Sequence, residues 1–198
     1  NFLNTLKAMS SYPWSGSVFY FGDYISALNL PWHYPIVWIF ISTPIIYLLL
    51  FILGSVLILT RLFNRFLNLS PEKKFNDLWR GNKERMDIIF FSIFFLSIIL
   101  VIELNSTLYN GWRQLYYIYP SLIFISIRGL EFISRKIKIK YTFIFIIPFL
   151  IFTTLWMIRH HPFQYSYFNK LAGNNIRDNF EIDYWGVSNL KTLDFIAK

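Results

Sequence analysis

Residues 36–60, IVWIFISTPIIYLLLFILGSVLILT, run without a single charged side chain. A bilayer core about 30 Å thick takes roughly 20 apolar residues in a helix, and each backbone polar group there must be paired within the segment. Three further stretches approach that length: 88–104 (IIFFSIFFLSIILVIEL), 115–130 (LYYIYPSLIFISIRGL) and 141–158 (YTFIFIIPFLIFTTLWMI), with flanking residues extending each. The pattern predicts an all-α, polytopic membrane protein with four transmembrane helices. Pro44, Pro120 and Pro148 fall inside these spans. A missing N–H and a ring clash bend a helix there, so kinked helices packed against other protein are expected.

The formal net charge of +8 invites a nucleic-acid reading. Against it, 55% of the residues are hydrophobic and 21% aromatic, the mean hydropathy is +0.42, and the cations lie in short connections between apolar runs. No recognition motif accompanies them, so the expected partner is the lipid bilayer and no nucleic acid. Residues 61–86 carry Arg61, Arg65, Lys73, Lys74, Arg80, Lys83 and Arg85; residues 131–140 carry Arg135, Lys136, Lys138 and Lys140, with Arg128 at the edge. Both read as cytoplasmic. Between them, 105–114 holds one basic residue, Arg113. Four crossings then place 1–35 outside as an interfacial segment, together with 105–114 and an outer tail, 159–198. The chain opens on NFLNTLK and stops at LKTLDFIAK within a helical pattern, which reads as a piece of a longer protein.

Within the outer segments, 4–11 predicts a short helix and SYPWSG at 11–16 a turn. Residues 17–31 read as an aromatic, amphipathic stretch along the membrane surface. NKLAGNN at 169–175 is a turn, and Ser188 is placed to cap a last helix that buries Leu190, Leu193 and Phe195 or Ile196.

Cysteine is absent, which excludes disulfides and thiolate metal sites, and the three histidines lack a metal-ligand spacing. No phosphate-binding glycine loop or nucleophile elbow is present, and neither metal nor cofactor is expected. The candidates for chemistry lie on the inferred outer face. In NGWRQLYYIYP at 110–120, Arg113 is set among Trp112, Tyr116 and Tyr117. One reading is an interfacial anchor within an aromatic belt. The other is a phosphate clamp, because a guanidinium offers a planar, permanently charged donor fork. His33, in LPWHYP, can donate to the same phosphate or remain a hydrogen-bonded interfacial histidine. Weaker candidates are Glu103 at the outer end of the second span, Asp23, and His160. Glu181 and Asp183 read as solvated loop acids.

Three stretches resemble bacterial membrane glycosyltransferases of family 39 type: YPWSGSVFYFGDYISALNLPWHYPIVWIFISTP at 12–44, NGWRQLYYIYPSL at 110–122, and HHPFQYSYFNKLAGN with FEIDYWGVS between 160 and 188. These enzymes belong to the GT-C clan, alongside protein O-mannosyltransferases and lipid A aminoarabinose transferase. The resemblance implies an inverting enzyme of the bacterial inner membrane. It would move a sugar from a polyprenyl-phosphate-linked donor to an acceptor protein, lipid or glycan on the extracytoplasmic side. A carboxylate base and cations facing the departing phosphate are what that displacement requires. In this family the acidic motif follows the first span. No such loop occurs here, so the chain resembles the C-terminal part and the catalytic acid lies outside it. Arg113 and His33 match outer motifs of the family and inherit from the resemblance a donor-phosphate role. The alternative is a non-catalytic scaffold or a transporter segment.

Overall fold

The computed structural model describes residues 14–67 and 78–197; the expected helix at 4–11, Pro13 of the expected turn, and Lys73 and Lys74 lie outside them. The described chain is mostly helical, with one two-stranded sheet. It divides into two compact units. An aromatic unit takes Asn1–Pro44, Leu100–Gln114 and Ile151–Lys198, and a helix unit takes Ile45–Ile99 and Leu115–Leu150.

The expected span 36–60 is two helices rather than one: α1 (Tyr34–Ser42) and α2 (Ile45–Leu67). Thr43, the residue before Pro44, is extended at φ −97° and ψ 136°, because the proline ring crowds a preceding helical residue. Arg61 and Arg65, expected in a loop, are therefore helical. The second span is α3 (Gly81–Glu103). The third begins as a 3-10 turn, Arg113–Ile118, and continues as α4 (Tyr119–Lys136). Pro120 sits in the first turn of α4, where its missing N–H breaks no bond, so the expected kink there does not occur. Only Pro148 lies inside a helix, α5 (Ile139–Arg159).

Three of these helices, α2, α3 and α5, are long and apolar enough to cross a membrane. The third expected span, 115–130, is not among them, because α4 carries Arg128, Glu131, Arg135 and Lys136 in its second half. Along α2, Leu49, Ile52, Val56, Leu59 and Phe63 form an exposed apolar stripe at helical spacing.

In the helix unit the backbones of α2 and α4 approach closely through glycine. A Cβ on Gly54 would come within 2.0 Å of the Ile125 carbonyl oxygen, and one on Gly129 within 2.2 Å of that of Leu50. Small residues permit such close contact between helix backbones. Ser126 adds a hydrogen bond from its hydroxyl to the Tyr47 carbonyl at 3.0 Å. Ile46, Leu50 and Ile146 form an apolar cluster in the same unit.

In the aromatic unit, the stretch expected to lie along the membrane is instead a β-hairpin, β1 (Ser17–Tyr20) and β2 (Asp23–Ser26). Its two-residue turn, Phe21–Gly22, has φ of 53° and 86°, the left-handed pair that matches strand twist. Val18 and Tyr20 alternate inward, each 1% exposed. The rest of this unit includes 3-10 turns at Gln164–Ser166 and Lys170–Ala172, a short α6 (Ile176–Asn179) and a final α7 (Ser188–Ile196). The expected burial of α7 does not occur: Leu193, Phe195 and Ile196 are exposed, and Ser188 does not cap it.

Candidate functional site: an aromatic clamp on Arg113

The segment after α3 turns through Asn110 and Gly111, both with positive φ, and Gly111 lies flat on the Trp38 ring, where a Cβ would meet it at 3.3 Å. Trp112 follows and is buried, its indole N–H donating to the Ser42 hydroxyl at 2.8 Å. With Trp112 anchored, Arg113 is carried between two rings. Its guanidinium carbon lies 4.7 Å from the Tyr109 ring centroid and 4.7 Å from that of Trp185. Trp14 backs Tyr109 at 4.5 Å. Among the described residues Arg113 has no ion-pair partner. The two rings stabilise the cation through their quadrupoles, and with no carboxylate among the described residues paired to it, its donors remain for an incoming anion.

Trp185 reaches this place through its own loop. The Asp183 carboxylate accepts hydrogen bonds from the backbone N–H of Val187 and of Ser188, each at 3.0 Å, and from the Ser188 and Tyr165 hydroxyls. Burial opposes its charge, but these donors outweigh that and hold the carboxyl at about 2. Burial and the same bond push the Tyr165 phenol up. Gly186 takes a positive φ of 63° to close the turn. DYWG is thus a structural motif: its aspartate ties the turn, its tyrosine packs on Tyr165, and its tryptophan covers Arg113.

His33 is joined to Tyr20, with the phenol oxygen 2.7 Å from Nδ1. Burial pushes the Tyr20 phenol up, so it keeps its proton. The bond holds the imidazole by Nδ1 and leaves Nε2 as its other polar atom. Tyr20 in turn packs against Tyr34 and Phe180.

Asn169 ties the remaining motif, YFNKLAGN, to the end of α1. Its amide donates to the Phe40 and Thr43 carbonyls, both at 2.6 Å, while its backbone N–H reaches the Ile41 carbonyl at 2.8 Å. These are the carbonyls that a helix end leaves without a partner.

Arg113, Trp112 and His33 therefore belong to the aromatic unit. Tyr116 and Tyr117 are exposed and fall in the helix unit, so Tyr109 and Trp185 hold the places that sequence spacing suggested for them. Glu103 and Asp23 are exposed without ion pairs among the described residues, and His160 stacks on Trp156 at 4.2 Å with Nδ1 2.8 Å from its carbonyl. Glu181 is half-buried, and burial pushes its carboxyl up, which a solvated loop acid would not show. Among the described residues no group of three histidine, aspartate or glutamate side chains is placed to hold a metal ion. No protein-family model, curated protein or solved structure matches this chain.

Proposed function

We propose that this chain is the C-terminal membrane part of a glycosyltransferase that moves a sugar from a polyprenyl-phosphate donor to an acceptor on the extracytoplasmic side, with four crossings and both ends of the chain outside. The observation that carries the reading is the clamp: Arg113 of GWRQLYY lies against Trp185 of DYWG, so the two stretches on which the family resemblance rests most meet at one cation. Arg113 has the chemistry of a ligand for the donor phosphate, since its donors are not committed to a carboxylate and charge-assisted forks bind phosphate oxygens well. Gln114, the next residue, buries both atoms of its amide without a hydrogen-bond partner, which suits a polar ligand nearby. In this reading His33 serves the same departing phosphate, and the carboxylate that activates the acceptor belongs to a part of the protein outside this chain. The exposed aromatic side chains Trp32 and Trp185 serve the sugar and its lipid carrier.

The reading is tested by expressing the complete gene in membranes and measuring sugar transfer from a synthetic polyprenyl-phosphate sugar. Donor-dependent transfer that falls in Arg113→Ala and His33→Ala is expected. Membranes rich in the protein that transfer nothing from any such donor would sink it.

A further inference from the structure

At one end of the helix unit, α2, α3 and α4 enclose a cavity of about 410 Å³ lined by five basic and three acidic side chains. The acids are committed. Asp87, 2% exposed, receives Arg61 Nη1 at 2.8 Å and Arg128 Nε at 2.5 Å. Glu131 receives Arg128 at 2.8 Å and Arg135 at 2.5 Å. Glu84 receives Arg65 at 3.0 Å. Positive charge is left over, and it has an address: Nε and Nη2 of Arg61 are buried atoms with no hydrogen-bond partner.

The Arg61 side chain is partly exposed and its Nη1 is taken by Asp87, but two buried donors left unmatched are costly, and a further anion removes the cost. Nε and Nη2 form one edge of the guanidinium, the side-on pair that meets two oxygens of a single phosphate. The walls continue into Leu57, Ile58 and Phe132, apolar side chains that suit the first carbons of an acyl chain. Basic pockets between membrane helices take lipid headgroups for these reasons. We propose that this cavity binds the phosphate of an anionic phospholipid, with the Nε and Nη2 edge of Arg61 as its fork. The site is separate from the Arg113 clamp and stands whether or not the protein transfers sugars.

The test uses the purified chain in a neutral detergent, with phosphatidylglycerol, phosphatidylcholine or inorganic phosphate added. Bound lipid is read by native mass spectrometry and stability by the thermal midpoint. One phosphatidylglycerol is expected to bind and raise the midpoint, phosphatidylcholine not. Inorganic phosphate acting only at far higher concentration identifies a lipid site; phosphate acting as well as the lipid identifies the free anion as sufficient for the same fork. Arg61→Lys keeps the charge and the Asp87 pair but loses the fork, so phosphatidylglycerol affinity falls about tenfold. Should that variant not fold, Lys83→Gln, at an exposed cation of the lining, lowers affinity about fivefold. Lys140→Gln, an exposed cation on α5 outside the cavity, leaves it unchanged. The proposal is overturned if the two lipids bind alike, if Arg61→Lys (or, where it does not fold, Lys83→Gln) binds phosphatidylglycerol as the wild type does, or if Lys140→Gln weakens binding equally.

Discussion

Arg128 in the helix unit and Arg113 in the aromatic unit are the same side chain held by opposite means. Arg128 meets Asp87 and Glu131, so its charge is spent inside the protein and its task is to fix α4 against α3. Arg113 meets Tyr109 and Trp185, which hold it by their rings and neutralise nothing. A cation matched by acids is structure; one positioned by rings keeps its charge unmatched. The same contrast separates the units as wholes. The helix unit is assembled by glycine contact and ion pairs, the aromatic unit by ring packing and by hydrogen bonds from loop side chains to backbone.

The most severe way to break the helix unit is through its closest contact. Gly129→Leu places a side chain where even a Cβ would stand 2.2 Å from the Leu50 carbonyl oxygen. A loss of more than about 4 kcal/mol is expected, seen as aggregation on gel filtration and the absence of a cooperative thermal transition. Next comes the comparison itself. Asp87→Asn leaves Arg61 and Arg128 without a shared counter-charge and costs about 3–5 kcal/mol. Arg113→Met removes only ring contacts and costs under about 1 kcal/mol. Thermal midpoints measured in one detergent decide it, and equal losses would erase the distinction between the two arginines.

How much of this was legible in the sequence follows the same division. Apolar runs announce α2, α3 and α5, because a membrane helix is written in consecutive residues. Their ends are less legible. Pro44 marked a disturbance within 36–60, but only the tertiary contacts of Asn169 with the Phe40 and Thr43 carbonyls explain how a complete break is stabilised there. The hairpin had a visible signal, alternation around Phe21–Gly22, that its aromatic richness disguised as a surface-lying segment. The Arg61–Asp87–Arg128 group was hidden since its members come from three helices, and the two arginines counted only as topological charges. The candidate site was half legible: Arg113 stood out as a solitary cation, whereas Trp185, far along the chain, reaches it only through the turn that Asp183 ties.

Two smaller effects sharpen the account of the aromatic unit. Asn169→Ala strips α1 of two hydrogen bonds at its end and is expected to cost about 2–3 kcal/mol, read by thermal unfolding. The other effect belongs to Asp183, whose carboxyl lies at about 2 against an ordinary 3.8. A depressed carboxyl stabilises the fold fully above about pH 4 and loses that contribution as pH falls through its folded value. Asp183→Asn should therefore flatten the stability profile between about pH 4 and 2 while leaving its slope near neutrality unchanged.

The clamp itself is tested most directly by donor kinetics in the full-length protein. Arg113→Lys retains the charge and loses the fork, so the KM for the polyprenyl-phosphate sugar should rise about tenfold, with Arg113→Met worse and both thermal midpoints near wild type. Stably folded Arg113→Met protein that transfers sugar with the wild-type KM and kcat would contradict the account.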